Sequence, residues 1–170
     1  KDKQHINGLD IGCGNGKNMI YDNMTGIDSN EAFVTICREN KKNVLLADCC
    51  ELPFGNDEFD YCLCISVVHH LSTEDRRLLC IRELIRVLKP GGCGILNIWS
   101  QEYQEKRRFV SGDNYVEWKS RDTRKHPQLR YYHIMNHDMF MNMVDRFGEY
   151  VHVVDIKNEK GNWVVTFMKK

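Results

Sequence analysis

The sequence has no long apolar run, no excess of either charge and few prolines. Its 170 residues contain 24 Lys or Arg, 24 Asp or Glu and three Pro. No apolar stretch is long enough to cross a bilayer and no secretory signal is present, so we expect no membrane partner and a cytoplasmic location, with the nucleus as a further compartment. Because the charges balance, any contact with nucleic acid must depend on a local basic patch.

Paired cysteine motifs are missing as well. The eight cysteines all precede Gly94, mostly in apolar runs such as DYCLCISVV, and none is spaced as C-x-x-C. This pattern is typical of reduced, buried thiols in an intracellular protein, and it lacks the ligand spacing of a structural zinc site. We therefore predict no metal site in this chain.

Short apolar runs alternate with helical patterns along the chain. The predicted strands are INGLDI, MTGIDS, NVLLAD, FDYCLCISVV and CGILNIW, with NEAFVTICREN and TEDRRLLCIRELIRVLK as helices between them. A third helix, NHDMFMNMVDRFG, leads to YVHVVDI and NWVVTFM, which a short turn makes antiparallel. The prediction is an α/β fold, a doubly wound and mostly parallel seven-stranded sheet with a C-terminal antiparallel hairpin. We expect one domain over 1–170, with a substrate-side insert at 100–130 and further sequence upstream of Lys1.

A glycine-rich loop, LDIGCGNG, follows the first predicted strand. Its glycines are spaced G-x-G-x-G behind an acid, whereas a dinucleotide site has G-x-G-x-x-G. An acid here would repel a pyrophosphate, but it suits the ammonium group of an amino-acid-bearing cofactor such as S-adenosylmethionine. The candidate cofactor-binding residues of this segment are Asp10, Gly12, Cys13, Gly14, Asn15 and Gly16.

Two more acids follow strands. Asp28 in GIDS is placed to bind both ribose hydroxyls, and Asp48 in LLADCC is placed to accept a hydrogen bond from the adenine amine. Each could be a turn residue by itself. Three acids after three predicted neighbouring strands, together with the terminal hairpin, favour a methyltransferase over a dehydrogenase. The adjoining cofactor candidates are Ser29, Cys49, Ile65 and Ser66.

The chain resembles class I S-adenosylmethionine-dependent methyltransferases. The segments LDIGCGNG, GIDS, DCCELPF, FDYCLCISVVHHL and RELIRVLKPGG stand in the order usual for that class. This resemblance covers Leu9 to Gly92. It implies S-adenosyl-L-methionine as the cofactor and leaves the substrate open.

Segments after Gly92 resemble one particular family within this class. GDNYVEW, LRYYHIM and GNWVV are similar, in that order, to the eukaryotic tRNA wobble-uridine carboxymethyl methyltransferases, which include the methyltransferase domain of the AlkB-homologue fusion. Those enzymes esterify the carboxylate of 5-carboxymethyluridine, and the resemblance implies the same activity here. Two departures stand out: Glu117 replaces the family's usual proline, and the insert between Trp99 and Arg130 is short. The resemblance implies Arg130, His69 and His70 as catalytic candidates, and Trp118, Tyr131, Tyr132 and His133 as substrate-binding candidates.

The acceptor chemistry is consistent with these residues. The [DN]-P-P-[YF] motif of amine methyltransferases is absent, because Pro53, Pro90 and Pro127 are followed by Phe, Gly and Gln. A carboxylate is already ionised at neutral pH, so it needs only positioning, for which a guanidinium fork is suited. The alternatives are a small-molecule or lipid methyltransferase, a catalytically silent subunit of a tRNA-modification complex and, more remotely, a dehydrogenase. In these alternatives LRYYH is an edge strand with a solvated Arg.

Two partners are expected. Residues 101–130 carry eight Lys or Arg against five Asp or Glu, with aromatics interleaved, which is compatible with binding a tRNA anticodon loop. The family resemblance also implies a small zinc-binding activator subunit. We place it at the third strand, an expected sheet edge, where Val44 and Leu46 with Phe33 could form an apolar surface.

Overall fold

The computed structural model describes residues 6–102, 109–118 and 128–170, the side chain of Trp118 excepted. The strands are β1 (Gly8–Ile11), β2 (Met24–Asp28), β3 (Asn43–Leu46), β4 (Phe59–Ile65), β5 (Leu88–Trp99), β6 (Gly112–Trp118), β7 (Gln128–Ile134), β8 (Val151–Glu159) and β9 (Asn162–Lys169). The helices are α1 (Glu31–Glu39), α2 (Glu74–Val87), α3 (His137–Asp145) and a single 3-10 turn at Val68–His70.

Seven strands form one sheet in the order β3-β2-β1-β4-β5-β9-β8. The first five are parallel, and β9 lies antiparallel between β5 and β8. This confirms the predicted fold class, including the C-terminal hairpin. The chain turns in opposite directions from β1 and β4, so the crevice at the carboxyl ends of these two strands is the switch point where such folds bind ligands.

Helices cover both faces of the sheet. On one face α1 buries Val34 and Cys37 against a small cluster with Met19, Met24 and Val44. On the other face α2 and α3 pack on the main core of the molecule. The largest fully buried hydrophobic side chains of that core are Phe140, Leu9, Ile11, Ile27, Leu84, Leu88, Leu96 and Ile98. All eight cysteines fall within the described residues; none forms a disulfide and seven are buried.

Helix α2 begins as its sequence predicts and ends earlier. The hydroxyl of Thr73 accepts a hydrogen bond from the Arg76 amide at 3.3 Å, which caps the first turn. The sequence predicted a helix that ends at Lys89, just before Pro90, but α2 ends at Val87 and β5 begins at Leu88. The reason is local, because a residue before proline is pushed out of the helical region towards the extended one.

The insert contains a second sheet, the antiparallel pair β6–β7. It joins the main body through a bridge between Ser100 and Met135, next to the end of β5. Most of the basic residues counted in the insert fall outside the described residues: Lys106, Arg107, Arg108, Lys119, Arg121, Arg124 and Lys125. Within the parts that are described, no helix is long and apolar enough to span a membrane.

Strand β3 lies at the sheet edge as predicted, but the apolar surface there differs from the prediction. Val44 is only 3% exposed, because its side chain points inward to the core cluster of α1. Leu46 is 53% exposed, and Leu45, Phe33 and Ile36 are also exposed on this edge. The exposed edge therefore consists of Leu45 and Leu46 with two residues of α1, and Val44 is removed from it.

Candidate functional site

The glycine loop lies at the switch point directly after β1. The Gly14 amide donates to the Asp28 carboxylate at 2.8 Å, and the Cys13 amide donates to the Ile27 carbonyl at 2.9 Å, so the loop is fastened to β2. Gly12 has φ +66°, and a Cβ there would lie 2.4 Å from Val67. Gly14 has φ +55° with open space around the position of a Cβ. The first glycine is needed for packing, and the second leaves room for a ligand to approach the backbone.

Asp10 ends up buried beside this loop. Its side chain is 1% exposed, and neither carboxylate oxygen has a hydrogen-bond partner among the described residues. Burial, and secondarily the charge of Asp28, raises the pKa of Asp10 to about 7, while Lys17 and Lys42 oppose that shift. Burying an ionised carboxylate without a partner costs free energy unless a cation pairs with it. Asp10 therefore fits the ammonium group of an amino-acid-bearing cofactor.

Asp28 organises the loop and still has acceptor capacity. One oxygen accepts from the Gly14 amide, and the other accepts from the Asn30 amide at 2.8 Å. A carboxylate offers about four lone-pair sites, so two remain for ribose hydroxyls. Asn15 and Ser29 are exposed nearby in sequence, at the outer side of the same loops, and Gly16 is buried. The positions of Asp28 and Ser29 are compatible with the predicted ribose contacts.

Asp48 is held by an arginine that the sequence did not single out. The Arg76 guanidinium of α2 donates to both Asp48 oxygens, at 2.8 and 3.1 Å, and the Cys50 amide adds a bond at 2.9 Å. The Arg76 hydrogen bonds, more than the Cys50 amide, lower the pKa of Asp48. Cys49 beside it is buried. An adenine amine would therefore share this carboxylate with Arg76.

The end of β4 contains a strained residue. Ser66 has φ +63°, a region that residues with a side chain rarely occupy. Its hydroxyl donates to the Asn97 side chain at 3.2 Å, and its amide donates to the Asn97 carbonyl at 3.1 Å. These bonds hold the strand-to-helix turn that follows Ile65 at the switch point. Such outliers persist where the surroundings determine them, and they concentrate at functional sites.

The two adjacent histidines have different environments. His69 is 0% exposed, and its Nδ1 accepts the Trp99 amide hydrogen at 3.2 Å, which places the proton on Nε2. That Nε2 has no partner within the described ranges. Burial, with a smaller effect of His70, holds the pKa of His69 well below its usual range. His69 is therefore a neutral imidazole of the interior.

His70 is accessible to solvent, and its tautomer is set by the backbone. Its Nδ1 donates to the Tyr131 carbonyl at 3.1 Å, since a carbonyl can only accept, so Nε2 is the acceptor nitrogen. Desolvation of the ring lowers the pKa of His70, the bond to Tyr131 raises it, and the charge of Arg130 lowers it. His70 is therefore neutral at pH 7 and lies close enough to Arg130 to sense that charge.

An aromatic stack joins the histidines to β7. The Tyr132 ring lies nearly parallel to the Trp99 ring, with centroids 4.3 Å apart, and stacks on His69 at 5.3 Å. The His70 ring centroid is 4.4 Å from that of Tyr132, and Phe109 extends the stack beyond Trp99 at 6.3 Å. Stacks of this size fix ring orientations. Tyr132 is therefore a buried wall of the site.

The alternation of β7 divides LRYYH between two faces. Arg130 and Tyr132 share one face with the histidine pair, and Arg130 is exposed there. Tyr131 and His133 point to the opposite face, where both contact Asp113 of β6. Trp118 lies in β6, but its side chain is outside the described residues. The structure thus brings Arg130, Tyr132, His69 and His70 together, and it separates Tyr131 and His133 from them.

Four residues of this region were not predicted from the sequence. Arg76 holds Asp48, Asn97 holds Ser66, Trp99 supports the aromatic stack, and Asp113 binds two residues of β7. The first two could not be found, because their partners are 28 and 31 positions away. Trp99 and Asp113 had a weak signal, since Trp99 directly precedes the insert and Asp113 lies within it, both in segments already noted.

A seven-stranded sheet with one inserted antiparallel strand, a G-x-G-x-G loop and an unpartnered acid at its switch point defines the class of Rossmann-like methyltransferases. Residues 9–96, just over half of the chain, match the family described as "Methyltransferase domain". The chain belongs to this family. S-adenosyl-L-methionine is the cofactor of the class, as predicted, and the orphaned Asp10 carboxylate fits its amino group.

Two relatives carry a more specific name. The tRNA (carboxymethyluridine(34)-5-O)-methyltransferase of Schizosaccharomyces pombe is 33% identical over 155 residues, which are 86% of this chain and 66% of the relative. The tRNA (carboxymethyluridine(34)-5-O)-methyltransferase alkbh8 of Xenopus tropicalis is 39% identical over 101 residues, which are 58% of this chain. That match takes up only 16% of the relative's length, so the chain corresponds to a small part of it.

Solved structures share the fold. A SAM-dependent methyltransferase from Methanosarcina mazei superposes with a TM-score of 0.78 at 19% identity, covering 98% of this chain and 93% of that one. A chain from the complex between the Haloferax volcanii Trm112 methyltransferase activator and a methyltransferase superposes with a TM-score of 0.71 at 15% identity, covering 97% and 82%. These likenesses confirm the predicted architecture.

Proposed function

We propose that this protein is an S-adenosylmethionine-dependent tRNA methyltransferase that converts the carboxylate of wobble 5-carboxymethyluridine to its methyl ester. The observation that carries the proposal is the grouping of the Arg130 guanidinium with a neutral histidine pair and a stacked tyrosine. The names of the relatives point to the same substrate. On the face of the β6–β7 pair opposite to Arg130, the exposed Tyr115, whose ring packs edge-on against Tyr131 at 5.9 Å, offers a stacking surface for a neighbouring unpaired base.

The three acids at the strand ends would each bind a different group of the cofactor. When bound, the cofactor supplies an electrophilic methyl group on a sulfonium. Asp10 would hold its ammonium group, Asp28 its ribose hydroxyls and Asp48 its adenine amine, the last together with Arg76. The Gly14 amide is already held by Asp28 and the Cys13 amide by the Ile27 carbonyl, so the loop is organised before the ligand arrives.

The acceptor side needs orientation rather than proton transfer. A carboxylate is ionised at pH 7, and methylation of its oxygen moves no proton. Neutral histidines are compatible with this, because no general base is required. Arg130 would hold the carboxylate on the side away from the attacking oxygen, since a tight grip on that oxygen would stabilise the ground state. His70 Nε2 is an acceptor and therefore suits a substrate donor such as the uracil N3–H or a ribose hydroxyl.

An activator subunit is the second part of the proposal. Strand β3 is the outer strand of the sheet and carries the exposed Leu45 and Leu46, an arrangement that favours strand pairing by a partner. A structural neighbour was solved in complex with the Trm112 activator. We infer that an activator subunit, which the family resemblance implies to be small and zinc-binding, binds this edge.

The test is incubation with tRNA that carries carboxymethyluridine and with methyl-labelled cofactor, with and without the activator, followed by nucleoside mass spectrometry. We expect label in the methyl ester of the wobble nucleoside, and mild alkali should release it because esters are saponified whereas N- or C-methyl groups are not. Alkali-stable label would indicate another methylation. Label on small molecules or lipids alone would favour the small-molecule alternative, and cofactor binding without any transfer would favour a silent subunit.

A further inference from the structure

Asp113 of β6 links two residues of β7 through one carboxylate oxygen. That oxygen accepts from the Tyr131 hydroxyl at 2.6 Å and from His133 Nδ1 at 2.7 Å. Asp113 lies directly opposite His133 in the ladder and diagonal to Tyr131, which places both within reach of one short side chain. Hydrogen bonds to an ionised acceptor are short and strong, as these distances are.

The surroundings of this carboxylate favour its charged form. The bonds from Tyr131 and His133 lower the pKa of Asp113, and the positive charge of Arg77 lowers it further. Arg77 is a buried residue of α2 whose guanidinium donates to the Leu71 carbonyl at 2.8 Å. The Tyr131 hydroxyl oxygen also lies 3.2 Å from the carbonyl of Ser72, just before that helix. The hairpin is therefore docked on the start of α2 through Tyr131.

The opposite face of β7 depends on this docking. Tyr131 and His133 alternate with Arg130 and Tyr132, so fixing the first pair fixes the direction of the second pair. The Tyr131 carbonyl also receives the Nδ1 hydrogen of His70, which sets the tautomer of that ring. A displacement of β7 would consequently move the Arg130 guanidinium and break the hydrogen bond between His70 and the Tyr131 carbonyl at the same time.

We propose that Asp113 is a positioning residue of the methyl-transfer site: it clamps β7 through Tyr131 and His133 so that Arg130, Tyr132 and His70 keep their places towards the acceptor. The assignment rests on the function proposed above. Asp113 contacts neither the cofactor loop nor the substrate-side face directly, so its effect is transmitted through β7.

The experiment compares Asp113→Ala and Asp113→Asn with the matched control Glu117→Gln. Glu117 lies on the same strand and the same face, opposite Leu129 instead of a hydrogen-bonding residue. We expect Asp113→Ala to lower single-turnover methylation of carboxymethyluridine tRNA at least tenfold, with cofactor affinity and the melting temperature nearly unchanged. Asp113→Asn should retain part of the activity because its amide oxygen still accepts one bond, and Glu117→Gln should match the wild type.

Two further measurements distinguish a positioning role of Asp113 from general destabilisation of the fold. In the Asp113→Ala background, Tyr131→Phe should cause little additional loss, because the clamp is already broken. Hydrogen exchange of the β7 amides should accelerate in Asp113→Ala while exchange in β1 and β4 stays unchanged. Wild-type methylation by Asp113→Ala, or an equal loss in Glu117→Gln, would overturn the assignment.

The exchange measurement also works without a substrate. If the wild-type protein does not methylate this tRNA at all, the proposed function fails, and the clamp is judged by exchange alone. Unchanged protection of β7 in Asp113→Ala would then reject the clamp itself.

Discussion

Replacing Asp10 by Asn should stabilise the cofactor-free protein and weaken cofactor binding, and this pair of opposite effects tests the cofactor site. The raised pKa means that between about pH 4 and 7 the unfolded chain has lost a proton that the folded chain retains. The unfolding free energy of the cofactor-free protein therefore falls as pH rises through this window, and it stays lowered above pH 7. The shift from 3.8 to about 7 corresponds to a penalty of up to about 4 kcal/mol, which Asn does not suffer.

Cofactor binding should show the opposite trend. Ammonium binding requires the ionised carboxylate, which with a pKa of about 7 is a minor form at pH 5.5 and half of the molecules at pH 7. Because an α-amino group stays protonated over that range, the affinity should rise about fifteenfold between pH 5.5 and 7. Asp10→Asn should remove this dependence and weaken binding roughly 10- to 100-fold at pH 7, as expected for a lost charged hydrogen bond.

The assay combines calorimetric titration of the cofactor with urea unfolding of the cofactor-free protein at several pH values. Asp75→Asn, at an exposed position in the first turn of α2, serves as the control. The difference in unfolding free energy between Asp10→Asn and wild type should grow from pH 4 to pH 7 and then level off. If Asp10→Asn keeps the pH dependence of binding, another group titrates and Asp10 does not hold the ammonium.

The remaining predictions concern the other contacts. Asp28→Ala should weaken cofactor binding by ~1–3 kcal/mol, because the ribose loses a charged acceptor and the Gly14 amide loses its partner; unchanged calorimetric affinity would remove Asp28 from the site. Arg130→Ala should lower methyl transfer about 100-fold with cofactor affinity intact, and Arg130→Lys should restore only part of it because an ammonium lacks the fork; full single-turnover activity would make Arg130 a solvated residue. Leu46→Glu should abolish co-purification with the activator, whereas Val154→Glu, at an exposed site on the other edge strand, should not; equal behaviour of the two variants would move the partner elsewhere.

The sequence by itself determined the sheet and the cofactor side of the site. Alternating short apolar runs and amphipathic helices predict a parallel sheet, in which the carboxyl ends of β1, β2 and β3 meet at one edge. Asp10, Asp28 and Asp48 could therefore be named in advance, because each lies within two residues of the carboxyl end of its own strand. The tight loop after β1 could also be predicted from its glycines, because a positive φ, as at Gly12 and Gly14, strongly favours glycine over other residues.

Tertiary structure decided what these groups experience and how the second half of the site is arranged. Burial of Asp10 without a partner, and the occupation of Asp48 by Arg76, depend on residues far away in the chain. Likewise LRYYH is continuous in sequence, but pairing with β6 sends Arg130 and Tyr132 to one face and Tyr131 and His133 to the other. His69 and His70 are neighbours in sequence, yet His69 accepts a hydrogen bond from the Trp99 amide and His70 donates one to the Tyr131 carbonyl. Hydrogen bonds and desolvation act between groups that only packing brings together, so no local pattern encodes them.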